Sequence, residues 1–132
     1  MTVWDPLRRK DVVSTPEETV RQWFISELRQ TFGVPVHMMM SEVSMTIGSK
    51  PYRADIVIYG RDAAPLAVVE CKRCGVPLSR EVSEQALRYN NVLDVKYIIV
   101  TNGTSTYAFG RNGDCFVSIS RIPSYEEMIC QQ

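Results

Sequence analysis

The spacing of apolar residues predicts a first helix near the start of the chain. Apolar positions recur at helical spacing from Val20 to Phe32, and Gly33 ends the pattern. The preceding Thr15-Pro16-Glu17-Glu18 is typical of a helix start, because Thr15 can cap, Pro16 fits the first turn and Glu18 completes a capping box. We therefore predict a helix from Thr15 to about Phe32. Its predicted inward stripe comprises Val20, Trp23, Phe24, Leu28 and Phe32.

Three strands are predicted after this helix. Glu42 to Ile47 alternates between apolar and polar residues, and two runs rich in β-branched residues follow, Ile56 to Tyr59 and Leu66 to Val69. The polar turn between these two runs favours an antiparallel hairpin. If its loop is symmetric about residues 62 and 63, paired residues have numbers that sum to 125, and Asp55 lies opposite Glu70.

The second half of the chain predicts one more helix and a β extension. A helix from Ser79 or Arg80 to about Leu93 leads to a buried strand, Lys96 to Thr101, and this path predicts a parallel, right-handed crossover. Two Asn-Gly pairs are typical of hairpin turns, and Ser124 to Glu127 predicts a capped terminal helix. The predicted fold is α/β, with a mixed central sheet flanked by helices, a C-terminal β-hairpin extension and a short terminal helix.

Composition and charge indicate the number of domains, the way in which nucleic acid could be bound and the cellular compartment. The 132 residues are 45% hydrophobic, which suffices for one core, so we predict a single domain over residues 1–132 with residues 1–14 as an N-terminal arm or edge segment. Lys plus Arg number 15 and Asp plus Glu also 15, so contact with nucleic acid requires a local basic surface. Since neither a signal peptide nor a membrane-spanning run is recognisable, we expect a cytoplasmic protein with its four cysteines as thiols.

Three charged side chains lie at the ends of two apolar strands. Asp55 precedes one strand, and Glu70 and Lys72 end the next. Side chains alternate along a strand, so Glu70 and Lys72 share a face and Cys71 points to the other. Two facing carboxylates repel each other unless a cation lies between them or one is protonated. Because the nearby ligands are hard oxygens and no histidine is close in sequence, Mg²⁺ fits better than Zn²⁺.

These residues resemble the signature of a known nuclease superfamily. Asp55, a spacer and Glu70-Cys71-Lys72 resemble the PD-(D/E)XK motif, and the order of elements is similar to its restriction-endonuclease-like αβββαβ core. The sequence most resembles the N-terminal nuclease domain of the type I restriction enzyme motor (R) subunit. The matching stretches are Thr15 to Gln22, Arg53 to Val57, Val69 to Lys72, Gln85 to Tyr89 and Thr101 to Gly103. The usual proline before the first acid is Ala54 here.

The resemblance implies a Mg²⁺-dependent deoxyribonuclease, with Mn²⁺ as a substitute. It implies that Asp55, Glu70 and the backbone carbonyl of Cys71 hold the metal against a DNA phosphate. Lys72 would orient or deprotonate the attacking water. An acid of the first helix would join the metal, and we prefer Glu17 because Glu18 has the competing capping role.

The resemblance also implies residues that contact the substrate. Gln85 and Tyr89 match a Gln-x-x-x-Tyr motif that lies beside the site in such nucleases and contacts the substrate or the lysine. Basic residues near the site in sequence would form a rim that follows the phosphates. The predicted rim comprises Lys50, Arg53, Lys72, Arg73, Arg80 and Arg88.

Simpler interpretations stay open for the same residues. Charges at strand ends are often surface ion pairs, Gln85 and Tyr89 also suit a core, and Glu17 also suits a solvated helix start. Cys71 and Cys74 have the spacing of half a zinc site or a redox pair. The alternative function is therefore a non-catalytic nucleic-acid-binding or assembly module, with a zinc or redox module as a third candidate.

The sequence also bears on possible partners. It contains no Gly-x-x-x-x-Gly-Lys-Ser/Thr phosphate loop, so ATP-driven movement on DNA would need a separate motor or specificity subunit. One site of this kind hydrolyses one strand. A double-strand cut would therefore need a homodimer or repeated nicking.

Overall fold

A six-stranded sheet, in the order β3-β4-β5-β6-β7-β8, forms the centre of the protein. The structure is a computed structural model that describes residues 1–47, 49–79, 84 and 94–130. The strands of the sheet are β3 (Met39–Ile47), β4 (Lys50–Tyr59), β5 (Pro65–Cys71), β6 (Tyr97–Thr101), β7 (Thr106–Asn112) and β8 (Cys115–Ile119). A separate hairpin consists of β1 (Thr2–Asp5) and β2 (Lys10–Val13), and the described helices are α1 (Pro16–Gln30) and α2 (Tyr125–Cys130).

The predicted α/β architecture is confirmed. Three antiparallel strands follow α1, β6 pairs with β5 in parallel, and β7 and β8 extend the sheet as a hairpin. Both predicted Asn-Gly turns are present, with Gly103 and Gly113 at positive φ, a conformation that glycine adopts without strain. The predicted second helix lies outside the described residues except at Ser79 and Glu84. Within the described part, no helix is long and apolar enough to cross a membrane.

The N-terminal arm is a hairpin rather than an edge of the main sheet. Among the described residues, 2–5 and 10–13 pair with each other, as β1 and β2, and with no other strand. Arg8, in the turn between them, forms ion pairs with Asp5, Glu18 and Glu42. The hairpin is therefore attached to α1 and β3 by charge.

Helix α1 starts as predicted, although the capping box is incomplete. The Thr15 hydroxyl accepts a hydrogen bond of 3.1 Å from the backbone N–H of Glu18. The Glu18 carboxylate does not return the bond, because it accepts from Arg8, Arg21 and Gln22 instead. At α2, by contrast, Ser124 and Glu127 form the full reciprocal box.

The inward face of α1 differs from the predicted stripe at one position. Val20, Phe24 and Leu28 are buried as predicted, but Trp23 is 41% exposed, so that prediction was wrong. Ile25 and Arg21 are buried in its place. The physical reason is that the buried face of the helix includes Arg21, whose guanidinium has carboxylate partners. Trp23 lies at the edge of this face, against the ring of Phe24.

The predicted register of β4 and β5 is confirmed. Ile56 pairs with Val69 and Val57 with Val68, so the residue numbers sum to 125, and the next position brings Asp55 opposite Glu70. The assumption of a symmetric loop was wrong, because the register shifts after Ile58. The shift lies on the loop side of the paired strands and therefore leaves the position of Asp55 unchanged.

Apolar side chains cover both faces of the sheet, as expected for central strands. One cluster contains Phe24 and Leu28 of α1 together with Ile56 and Val69 of the sheet. The opposite cluster comprises Ala54, Val57, Val68, Val95, Ile98 and Val100. The strand ends at Asp55 and Glu70 therefore adjoin a core on each side.

Leu28 provides a test of this packing. It is completely buried between α1 and the sheet, so Leu28→Ala should lower the free energy of unfolding by about 2–5 kcal/mol. Val13→Ala, at an exposed position of β2, should change it by less than about 0.5 kcal/mol. Urea unfolding of both variants measures the difference, and equal losses would contradict the packing described.

Candidate functional site

Asp55 lies where the paired part of β4 and β5 ends. Its Oδ2 accepts a hydrogen bond of 2.7 Å from the backbone N–H of Cys71, and its Oδ1 accepts one of 3.2 Å from Nη2 of Arg21. Burial raises the pKa of Asp55, whereas these two donors and the nearby Lys72 oppose the rise. The carboxylate is thus held in one orientation by groups from β5 and α1.

The backbone of Cys71 directs a second oxygen toward Asp55. In a strand, the N–H and C=O of one residue point to the same neighbouring strand. The N–H of Cys71 points to Asp55, and the next N–H, of Lys72, donates to the carbonyl of Thr101 on the other side at 2.8 Å. The Cys71 carbonyl therefore faces the side on which Asp55 lies, while its thiol is buried in the cluster that contains α1.

Glu70 is a buried carboxyl with an unused acceptor. The residue is 8% exposed, and its Oε1 is buried with no hydrogen-bond partner among the described residues. Burial raises the pKa of Glu70 to about 7; Lys72 lowers it, and the negative charge of Glu17 raises it. A buried polar atom without a partner requires an explanation, and a bound cation supplies one.

Lys72 acts on both carboxylates. It is half-buried, and its positive charge opposes the rise in the pKa of Asp55 and of Glu70 that burial causes. The structure therefore places Lys72 close to both carboxylates and the Cys71 backbone in contact with Asp55. The chemical roles assigned to them stay predictions.

The two acids of the first helical turn have different surroundings. Both oxygens of Glu18 are occupied, Oε1 by Arg8 and Arg21 and Oε2 by Gln22. Glu17 is exposed, and its Oε1 lies 3.7 Å from Nη2 of Arg21. Glu17 also influences the pKa of Glu70. These contacts favour Glu17 over Glu18 as a further metal ligand.

Arg21 and Glu42 are site residues that the sequence interpretation missed. Arg21 is buried on the inner face of α1. Its position among the apolar residues of that face was a signal in the sequence, because a charged residue is rarely buried without a partner. Glu42 falls opposite Asp55, between the pairs Ser41–Ile56 and Val43–Ala54, and has φ of 52°. Its left-handed backbone is disfavoured for a non-glycine residue, and no local sequence pattern indicates it.

Several predicted substrate-binding residues can be placed only in part. Arg53 is exposed on β4, two residues before Asp55, and Arg73 is exposed directly after Lys72. The remaining predicted residues lie outside the described structure: Gln85, Tyr89, Arg80 and Arg88, and the side chain of Lys50. The predicted basic rim is thus represented by Arg53, Lys72 and Arg73.

The donor set suits a hard cation. Within residues 1–47, 49–79, 84 and 94–130, no three His, Cys, Asp or Glu side chains converge closely enough to hold a metal. Mg²⁺ does not require such a cage, because it binds through one or two carboxylates and keeps several waters. Asp55, Glu70 and the Cys71 carbonyl meet that requirement.

The cysteines give no support to a zinc or redox site. All four are free thiols. Cys71 is buried, and burial raises the pKa of its thiol well above the usual value. Cys74 is exposed, with its Sγ 3.6 Å from the Thr104 hydroxyl. A thiol that resists ionisation is a poor zinc ligand and a poor nucleophile.

Comparison with known proteins supplies the family. No curated protein matches the chain. Among solved structures, the fold is similar to a fragment described as an HsdR subunit of a type I restriction enzyme from Vibrio vulnificus YJ016, with a TM-score of 0.64 and 22% identity. The similarity covers 91% of this chain but only 25% of that one. Residues 16–123 match the family model for the type I restriction enzyme R protein N terminus, and the chain therefore belongs to that family.

Proposed function

We propose that this domain is a Mg²⁺-dependent nuclease that hydrolyses phosphodiester bonds of DNA in a restriction system. The observation that carries the proposal is the buried Oε1 of Glu70, which has no hydrogen-bond partner among the described residues and lies close enough to Lys72 to feel its charge. Buried polar atoms normally have a hydrogen-bond partner, and a bound cation would give this oxygen the contact that it lacks. Membership of the R protein N-terminal family supports the same assignment.

Each residue of the site has a defined task in this proposal. Asp55, Glu70 and the Cys71 carbonyl would hold Mg²⁺, which polarises the scissile phosphate and makes a bound water more acidic. The Cys71 N–H keeps Asp55 oriented. Glu70 would lose its proton as the cation binds, because metal ligands act as anions. Lys72 would hold the attacking water and stabilise the charge that develops on the phosphate.

DNA would be held by the exposed arginines on either side of the site. Arg53 and Arg73 flank Asp55 and Lys72 in sequence, and phosphate contacts of this kind require no net charge on the whole chain. Gln85, Tyr89 and Arg88 keep their predicted roles beside the substrate. Since residues 1–132 contain no phosphate loop, we propose that a motor or specificity subunit supplies movement on DNA and choice of site.

The nuclease proposal predicts metal-dependent nicking. Purified protein with Mg²⁺ or Mn²⁺ should nick supercoiled plasmid DNA, and Glu70→Ala or Lys72→Ala should lower the rate by about 100-fold or more, because each removes a charge from the reacting centre. Glu126→Ala, at an exposed position of α2, should leave the rate unchanged. Wild type and variants that are equally inert on single-stranded, duplex and branched DNA would favour the non-catalytic binding module.

The raised pKa of Glu70 predicts a pH-dependent cost to folding. The pKa is about 7 in the folded protein against 4.5 for an ordinary glutamate, so the folded state binds the extra proton and stability falls as pH rises between these values. Glu70→Gln cannot ionise. In EDTA it should therefore be more stable than wild type by on the order of 2 kcal/mol at about pH 8, and nearly equal at about pH 4.

Thermal or urea unfolding at both pH values measures this difference. Glu126→Gln is the control, since its exposed side chain should give little difference at either pH. A Glu70→Gln variant that is no more stable than wild type at the higher pH would show that Glu70 is not buried as a costly charge.

A further inference from the structure

Arg21 is surrounded by four carboxylates next to the proposed metal site. Its Nη1 donates to Oε1 of Glu18 at 2.8 Å and to Oε1 of Glu42 at 3.3 Å. Its Nη2 lies 3.2 Å from Oδ1 of Asp55 and 3.7 Å from Oε1 of Glu17. The guanidinium is thus a fixed cation among acids that come from α1, β3 and β4.

Asp55 is shared between this cluster and the proposed metal site. Its Oδ1 accepts from Arg21, and its Oδ2 accepts from the backbone N–H of Cys71. Glu70 and Lys72 are the neighbours of Cys71 in the sequence. In sites with two metal ions, the ions lie about 3.5–4 Å apart and clamp the attacking and leaving oxygens of the reaction. Arg21 contacts Oδ1 of this shared carboxylate, the oxygen that the Cys71 N–H does not use.

We propose that Arg21 takes the place of a second divalent cation, so that this domain binds one metal ion. Without the guanidinium, Glu17, Glu18, Glu42 and Asp55 would lose the cation that they share, and a divalent cation drawn in among these oxygen donors would relieve their mutual repulsion. With it, a positive charge is already fixed among these carboxylates, at 2.8 Å from Glu18, 3.3 Å from Glu42 and 3.2 Å from Asp55. The inference rests on the proposed function, because it concerns the metal at Asp55 and Glu70.

Arg8 supplies a matched control in the same network. It forms ion pairs with Glu18 at 2.6 Å and with Glu42 at 3.3 Å, so it shares two of the partners of Arg21. No contact of Arg8 with Asp55 is present in the described structure. Loss of Arg8 therefore removes a similar charge from the cluster without freeing the carboxylate that the metal site shares.

Counting bound Mn²⁺ by electron paramagnetic resonance and isothermal titration calorimetry tests the inference without any activity measurement. Wild type should bind one Mn²⁺ per chain, and Glu70→Gln should weaken that binding strongly. Arg21→Gln should bind two, whereas Arg8→Gln should bind one. Mn²⁺ should also raise the melting temperature of Arg21→Gln more than that of wild type, because a second bound ion adds to the stability of the folded state.

Two results would overturn the inference while leaving the nuclease proposal intact: two ions bound to wild type, or one ion bound to folded Arg21→Gln. No Mn²⁺ binding by wild type would instead remove the metal mechanism and the inference with it. If Arg21→Gln does not fold because its acids are left unpaired, Arg21→Lys decides the question. It keeps the positive charge and should bind one ion, and two ions bound to it would overturn the inference.

Discussion

The largely buried ion pair between Arg21 and Asp55 joins the first helix to strand β4 of the sheet. A charge that loses its water must be paired, and removal of one partner of a buried pair typically costs about 3–5 kcal/mol. Arg21 meets this constraint with carboxylates from three elements, which fixes how α1 lies over β3 and β4. The unfavourable φ of 52° at Glu42 is maintained because its side chain reaches both Arg21 and Arg8.

The need to pair buried charges also explains why Asp55 and Glu70 differ in their hydrogen bonds and in their pKa values. Asp55 has donors on both oxygens, and Cys71, Arg21 and Lys72 oppose the rise in its pKa that burial causes. Glu70 lacks such donors in the described structure, and its pKa rises to about 7. One carboxyl is thus held in place by hydrogen bonds, and in the proposed mechanism the other exchanges a proton for a cation. Different environments of this kind are common at functional sites.

Local patterns in the sequence accounted for most of the fold. The alternation of the strands, the Asn-Gly turns and the helix caps predicted the order of elements, and the hairpin register placed Asp55 opposite Glu70. Arg21 and Glu42 could not be assigned in this way, because their contacts join distant parts of the chain. Arg21 lies 34 residues before Asp55 and 21 residues before Glu42. Trp23 was misplaced for the same reason, since the tertiary partners of Arg21 decide which side of α1 is buried.

A crystal structure of the DNA-free protein soaked in Mn²⁺ tests the central claim most directly. The data are collected at a wavelength at which manganese gives an anomalous signal. We expect one anomalous peak, bound by Asp55, Glu70 and the Cys71 carbonyl, with Nη2 of Arg21 still on Oδ1 of Asp55. An empty site between Asp55 and Glu70 at high Mn²⁺ would contradict the metal centre. A second peak in the position of the Arg21 guanidinium would contradict its role as the fixed cation.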